Sequence, residues 1–327
     1  MQPFVSIVIP TKNCENTIEG LLKSIKNLNY KNYEVIVVDA SNDNTYKIAK
    51  NFQVKLFKIP FSKKRTTNKQ RNIGVKKAKG GIITFTDGDC KVHKNWLKEL
   101  VKGFNDDISI VGGSIKSWGD SFLKRYHQLA FRTGIPKITK EKVLDKNDFL
   151  KKQLFTAYEL PVAMNMAIKK SIIKKVGYFD EGMDYLEENE LFYRILKQRN
   201  KIKLVPKAIV YHNHADKFRI VFKKYFKSGK GVGIFCRKYP KTDFSKHRLS
   251  LLTIFLCTLI IFTYLLIRNP ILGSMLSLAS LLPTLPHSLR IARSNKYYLA
   301  VLFPIFDVLL CGFAYHFGIL YGLIHNK

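Results

Sequence analysis

Acidic residues are scarce in this chain: 24 Asp and Glu stand against 56 Lys and Arg over 327 residues, a formal charge of +32. Such an imbalance demands an anionic partner, and nucleic acid, anionic lipid headgroups and phosphorylated substrates all meet that demand. The lysines are dispersed and no nucleic-acid-binding motif occurs, which places nucleic acid last among the three. Cysteine is sparse as well. The five present (Cys14, Cys90, Cys236, Cys257 and Cys311) are odd in number and scattered, without a Cys-x-x-Cys pair. That spacing argues against a disulfide framework and against a zinc site, and a reducing compartment is the natural reading. Positive charge is missing before the first apolar run, Val5 to Ile9, and the run is short. It therefore reads as a buried strand and not as a signal peptide. No stretch in the first 240 residues is long and apolar enough to cross a bilayer.

What is present is alternation. Residues 1 to about 113 switch repeatedly between strand and helix patterns. Val5–Pro10 precedes a helix whose apolar residues Ile18, Leu21, Leu22, Ile25 and Leu28 share a face, with Asn16 and Glu19 placed as a capping box. Tyr33–Asp39, a helical stretch near Thr45–Asn51, Val54–Ile59, a basic helix near Asn68–Lys79 and Gly81–Asp87 follow. Near-continuous Val/Ile runs between helices predict an α/β fold with a mostly parallel sheet covered on both faces. Ligands of such sheets bind beyond the carboxyl ends of the strands. Here those ends are polar: Thr11 and Asn13, Asp39 and Ser41, Asp87 and Asp89.

Residues 114–215 are less periodic. They hold the segment Glu159–Asn165 and the acidic helix start Tyr185–Glu190, and they read as completing the sheet and forming the site of a second substrate, with Asn165 and Glu187 on its acceptor side. Three uncharged or nearly uncharged runs close the chain, at 249–267, 270–289 (interrupted by Pro283 and Pro286) and 297–324 (with Asp307 and His316). Each is long enough to be read as a transmembrane helix, about three in all. Arg237, Lys238, Lys241, Lys246 and Arg248 precede the first run and Arg290, Arg293 and Lys296 precede the third, against Arg268 and Lys327 on the other side. The positive-inside rule then puts the N-terminal half in the cytoplasm of a multi-pass protein of the cell membrane or an endoplasmic-type membrane. Within 216–248, Lys217–Lys230 sets Phe218, Val221, Phe222, Tyr225 and Phe226 at helical spacing among lysines. That is the pattern of a helix lying on an anionic membrane surface.

The chemistry concentrates at Asp87-Gly88-Asp89. Two carboxylates one residue apart at the end of an apolar strand can grip a hard divalent cation that also binds phosphate oxygens. The matching segments extend well beyond this turn: SIVIPTKNCENTIEGLLKSI (6–25), VIVVDASNDNT (35–45), KQRNIGVKKAKG (69–80), TFTDGDC (84–90), VGYFDEGMDYLEENELFYRI (176–195) and VPKAIVYH (205–212). In this order and spacing the chain resembles the family 2 glycosyltransferases over roughly residues 4–215.

The resemblance implies a GT-A fold for residues 1–215, with 1–113 as the nucleotide-sugar-binding half and 114–215 as the acceptor half. It implies an inverting enzyme that uses a UDP- or GDP-linked sugar with Mn²⁺ or Mg²⁺. Pro10, Thr11, Asn13 and Glu15 match the first nucleotide-binding turn, and Asp39 matches the acid that bonds the base. Ser41 and Asp43 stand in the family's Asp-Gly-Ser-x-Asp segment, which here runs Ala40-Ser41-Asn42 and lacks the usual Gly. Arg71 and Asn72 match the pair below the sugar. Asp87, Gly88 and Asp89 match the DxD, with Asp89 the direct metal ligand and His212 near the metal and diphosphate. Glu188 falls at the catalytic base, one methylene longer than the family's Asp. The transmembrane runs add a lipid-linked acceptor. A polyprenyl- or dolichyl-phosphate sugar synthase differs only in that acceptor, and a non-catalytic membrane protein keeping the fold is the rival class. The pair Glu190 and Arg194, four residues apart, reads as a helix salt bridge.

Overall fold

The computed structural model describes residues 2–62, 64, 66–119, 121–129, 138–151, 160–183, 185–213 and 217–325. Glu159, Asp184 and Lys327, which fall in the segments quoted above, lie outside them. The chain divides into two compact units, Met1–Trp118 with Gly134–Asn213, and Gly119–Thr133 with His214–Lys327.

In the first unit the described residues form one nine-stranded sheet in the order β3-β2-β1-β4-β8-β6-β9-β5, with β7 also pairing β9. The strands are β1 (Val5–Thr11), β2 (Tyr33–Asp39), β3 (Lys55–Lys58), β4 (Ile82–Phe85), β5 (Cys90–Val92), β6 (Ile108–Ser117), β7 (Lys142–Leu144), β8 (Met166–Lys169) and β9 (Lys201–His212). β1 pairs in parallel with β2 and β4, as a strand buried at every position should when helices cover both faces. The mostly parallel expectation holds across β1–β4 and again where β6 pairs in parallel with β9, and fails at the short strands between and beside them. β8 runs antiparallel between β4 and β6, and β5 and β7 run antiparallel to β9, so the sheet is mixed. The reversed strands are only three or four residues long, too short to carry a period that sequence can reveal.

The helices of this unit are α1 (Ile18–Lys26), α2 (Thr45–Lys50), α3 (Thr67–Lys77), α4 (Trp96–Lys102), α6 (Lys146–Lys151), α7 (Lys170–Val176) and α8 (Glu187–Leu196). α1 buries Ile18, Leu21, Leu22 and Ile25 as its spacing predicts. Its start differs from the capping box expected at Asn16. Thr17 is the boundary residue, and its hydroxyl donates to the carbonyls of Cys14 (3.2 Å) and Gly88 (2.8 Å).

The second unit collects α5 (Phe122–Leu129), α9 (Phe218–Lys238), α10 (Asp243–Arg268), α11 (Pro270–Ala279), α12 (Leu285–Ser294), α13 (Phe303–Phe306) and α14 (Tyr315–Ile324), with a π-helical stretch at Asp307–Ala314. Among the described residues, two apolar segments are long enough to cross a bilayer, Asp243–Arg268 and Tyr298–Ile324. The second of the three expected spans differs. Residues 270–289 belong to two separate ten-residue helices, α11 and α12, with Pro286 in the first turn of α12, where its missing N–H is tolerated. Such helices are about 15 Å long, half a bilayer core. The apolar stripe of α9 is partly covered by protein, with Phe218 still 41% exposed. Val221 is fully buried with Leu123, Tyr126, Ile291, Phe303 and Leu310, and Phe222 and Tyr225 pack on that cluster. Buried Asp307 accepts a 2.7 Å hydrogen bond from the Tyr126 hydroxyl.

α9 and α14 pack in parallel at backbone contact. A Cβ on Gly229 would come within 1.9 Å of the Tyr315 carbonyl oxygen, and one on Gly318 within 2.0 Å of that of Phe226. Gly233 and Gly322 repeat the arrangement one turn later, at 2.3 Å from Ile319 O and 2.2 Å from Lys230 O. Close approach of this kind needs small residues on both helices. Gly318→Leu should drive the pair apart and cost about 1–3 kcal/mol, seen as a lower melting temperature in detergent. An unchanged melting temperature would contradict the tight seam.

Candidate functional site

Three strand ends and one helix start build the site. β1 and β2 end side by side, Thr11 opposite Asp39, and the loops beyond them are laced together. Thr11 Oγ1 (2.8 Å) and Ser41 Oγ (2.6 Å) both donate to Asp39 Oδ1, and Lys58 Nζ reaches Oδ2 at 2.7 Å. The Asn13 N–H donates to Ser41 Oγ (2.7 Å), its side-chain oxygen accepts from the Asn42 N–H (3.1 Å), and its left-handed backbone (φ 53°) turns the chain back. Asn tolerates that conformation better than most residues. Glu15 Oε2 accepts from the N–H and side-chain amide of Asn44, and the Glu15 N–H donates to Asp43 at 3.3 Å. Burial works against ionisation of Asp43. The hydrogen bonds from the Thr45 hydroxyl and backbone and from the Glu15 N–H outweigh it and hold the carboxyl below the usual range. Pro10 is buried beside Val38 within the β1–β2 ladder.

The structure assigns Asp39 a tethering role: its carboxylate is fully buried and bonded to three side chains. Two supports of this corner escape sequence reading. Lys58 lies at the end of a strand unremarkable in composition. Gln70, buried in α3, donates to the carbonyls of Thr11 (2.7 Å) and Val38 (2.6 Å) and fixes both strand ends.

The Asp87–Asp89 turn follows β4. The Cys90 N–H donates to the Asp87 carbonyl at 3.1 Å and closes a tight turn, in which Gly88 does not adopt a left-handed backbone and has a packing reason instead. A Cβ there would lie 2.8 Å from Cys14 Sγ and 3.2 Å from Thr11 Cγ2. The Cys14 thiol it would strike is pushed up by burial to about 12 and stays protonated. The two carboxylates part company. Asp87 pairs with Arg71 (Nη2 to Oδ1, 3.2 Å), while Asp89 faces His212 (Nε2 to Oδ2, 3.3 Å). The Asp89, Cys90 and His212 ligand atoms lie within 4.8 Å of one another. Burial raises the Cys90 thiol well above its ordinary value, so it is a neutral neighbour and a poor match for a hard cation.

Arg71 is the hinge pin of the site. Its side chain is 1% exposed and bridges Asp87 to Glu187 (3.1 Å), the first residue of α8, and its Nε is buried without a hydrogen-bond partner. Glu187, expected on the acceptor side, is instead 2% exposed and paired with this guanidinium. Glu188 is half-buried, and its Oε1 accepts the Ala163 N–H at 3.0 Å. Leu186, immediately before, is left-handed (φ 64°), a backbone strain of about 1–3 kcal/mol found where function over-determines geometry. Glu190 is fully buried and paired with Arg194 at 2.7 Å, the helix salt bridge expected.

Two further placements differ from expectation. Asn72 does not present its amide to a ligand: it donates to the Phe179 carbonyl (2.9 Å) and Glu181 (3.0 Å) and accepts the Phe179 N–H (3.0 Å). With Asn68, which bonds the carbonyls of Asp180 and Met183, it clamps the loop leading to α8. Asn165 is fully buried, accepting from Trp96 Nε1 (2.8 Å) and donating to the carbonyls of Ser114 and Ala208. It plugs the sheet and cannot touch an acceptor. These buried amides carry no sequence signature beyond the residue type, because their partners are mostly backbone atoms brought in by the fold.

A sequence profile described as Glycosyl transferase family 2 matches residues 6–177. Among curated proteins, Glycosyltransferase AglE of Haloferax volcanii is 25% identical over 239 residues, 70% of this chain and 73% of that one. The GalNAc(5)-diNAcBac-PP-undecaprenol beta-1,3-glucosyltransferase of Campylobacter jejuni is 24% identical over 210 residues, 60% of this chain and 66% of that enzyme's length. Two solved structures share the fold. TarS residues 1–349 of S. aureus in complex with UDP-GlcNAc gives a TM-score of 0.54 at 17% identity, over 73% of this chain and 67% of that one. The mannosyltransferase PcManGT of Pyrobaculum calidifontis in complex with GDP-Man and Mn²⁺ gives 0.59 at 16% identity, over 99% and 88%.

Proposed function

From the fact that this chain belongs to glycosyl transferase family 2 and is a glycosyltransferase, we propose that it moves a sugar from a UDP- or GDP-linked donor to a lipid-linked acceptor at the cytoplasmic face of a membrane, with inversion. The observation that carries this reading is the Arg71 bridge. It joins residues 116 positions apart, drawing the Asp87–Asp89 turn and the Glu187-Glu188 helix start to one place. Donors bound by the structural neighbours and the diphosphate-linked undecaprenol in one relative's name support the substrate classes. The exposed apolar residues of α10 support a membrane location.

Each residue then has a part. The loops laced around Thr11, Asn13, Asp39 and Ser41 hold the nucleotide. Asp89 and His212 fit a divalent cation, since a carboxylate and an imidazole suit Mn²⁺ at least as well as Mg²⁺. When bound, that cation neutralises charge on the departing diphosphate. Arg71 holds the Asp87 and Glu187 carboxylates in fixed positions. Glu188 takes the proton of the acceptor hydroxyl while that oxygen bonds to the anomeric carbon and the carbon–phosphate-oxygen bond breaks, its electron pair leaving with the nucleoside diphosphate. The Ala163 N–H orients the Glu188 carboxylate for this task.

The test is nucleoside diphosphate release by the full chain in detergent, offered UDP- and GDP-sugars with Mn²⁺, with and without a lipid extract. Release should depend on one donor class and rise with the extract. A folded preparation that turns over no sugar nucleotide under any of these conditions overturns the proposal.

A further inference from the structure

We propose that the second unit enters the membrane through a single hairpin, α10 outward and residues 270–289 back, and that residues 298–324 lie beside α9 on the catalytic side without crossing. This rests on the membrane reading above and fixes which apolar segment meets the lipid.

The argument starts from α9. Its 21 residues carry Arg219, Lys223, Lys224, Lys227, Lys230, Arg237 and Lys238 and no acid. Lysines near a helix end can reach the interface, but those of the middle turns cannot. α9 therefore does not span, and both its ends lie on one side of the bilayer. The C-terminal segment is locked to it in register. Phe306 meets Phe218 at one end (ring centroids 5.8 Å), Gly318 and Tyr321 meet Phe226, and Gly322 meets Lys230. At the other end Arg237 Nη1 donates to the His325 carbonyl at 3.0 Å. A helix matched along its length to one that cannot cross is held at the same depth. A third of its apolar window is covered by protein.

α10 is the opposite case. Only 6% of its apolar window is covered, and Ile254, Ile260, Ile261, Tyr264 and Ile267 are 58–74% exposed. Nineteen uncharged residues at 249–267 give about 28 Å, the thickness of a bilayer core. The occupant that matches this surface is lipid acyl chain. α11 folds back against α10, with Gly273 seated on Leu266, and is too short to cross alone. The return leg is the whole uncharged run 270–289, in which hydrogen-bonded turns (Leu282 N–H to Ala279 O, Leu285 N–H to Leu282 O) join α11 to the start of α12. The chain then returns through α12, whose Ile291 and Ala292 join the cluster of Leu123 and Tyr126 on α5. α5 follows closely on β6 in the chain, so the segment bearing Arg290 and Arg293 is on the catalytic side, as its charge requires.

A three-span chain puts its C-terminus opposite the catalytic unit; this arrangement puts both on one side. The full chain, tagged at both ends in a bacterial host, is first washed with carbonate. Intact spheroplasts are then treated with protease. Both tags should survive, and both should be lost after permeabilisation. Loss of the C-terminal tag alone from intact spheroplasts overturns the proposal. A membrane-impermeant maleimide should label Asn269→Cys above the unsubstituted background in intact spheroplasts, and Arg290→Cys only after permeabilisation. The reverse pattern, or an unlabelled Asn269→Cys, also overturns it. A chain released by carbonate refutes the membrane reading itself and the hairpin with it.

Discussion

Glu188→Gln should bind its sugar nucleotide as tightly as the parent and transfer sugar at least about 10²-fold more slowly. The amide oxygen can still accept the Ala163 N–H at the present 3.0 Å, so the helix start keeps its shape and only basicity is lost. A hundredfold loss corresponds to about 2.7 kcal/mol of transition-state stabilisation. Glu187→Gln, one residue away, should behave differently. It weakens a buried ion pair with Arg71, and breaking such a pair costs about 3–5 kcal/mol of stability because a charge is left uncompensated. Turnover measured at saturating donor, beside donor affinity and melting temperature, separates the two. A positioned general base typically contributes about 10²–10⁴-fold. If Glu188→Gln turns over within about threefold of the parent, far below that range, the base lies elsewhere.

Asp89→Ala should remove Mn²⁺-dependent donor binding, and transfer should fall by about three orders of magnitude, because charge stabilisation of the leaving group is among the largest contributions to such reactions. Excess EDTA should give the same result with the parent enzyme. Asp87→Ala makes the informative contrast. Asp87 pairs with Arg71 while Asp89 faces His212. The Asp87 change should therefore lower stability along with activity, and the Asp89 change should spare stability. Full activity of Asp89→Ala, or of the parent in EDTA, contradicts the assignment.

Sequence reaches this site unevenly, for physical reasons. The strand ends are legible because apolar runs stop abruptly at Thr11, Asp39 and Asp87, and burial dictates where apolar runs stop. Asp89 and His212 are reached through family resemblance, and they do face each other at 3.3 Å. Asn72 is placed at a ligand by the same resemblance, and Asn165 and Glu187 by their position in the less periodic half. The structure buries all three in bonds to other protein groups, mostly backbone for the two amides and Arg71 for Glu187. A polar residue beside a motif looks the same in sequence whether it faces a ligand or holds the loop that does. Apolar length misleads once in the C-terminal region. Residues 270–289 have the composition of one spanning helix, yet the structure divides the region between two short helices, neither long enough to cross alone.

One hydrogen bond sets a clock on synthesis. Tyr126 and Asp307 are 181 residues apart, and a ribosome adding about 5–20 residues per second takes roughly 10–40 s to travel between them. Through the later part of that interval the sheet strands are complete up to β9, while α5, emerging from between β6 and β7, still has no partner from the C-terminal segment for Leu123 or Tyr126. The nascent chain thus carries a finished catalytic sheet and gains the apolar partners of α5 one by one, Val221, then Ile291, then Phe303, with the acceptor of the Tyr126 hydroxyl arriving after them. A ribosome that stops just before codon 307 has already supplied those apolar partners but not the carboxylate, so the cluster would close on a hydroxyl that lacks its acceptor there.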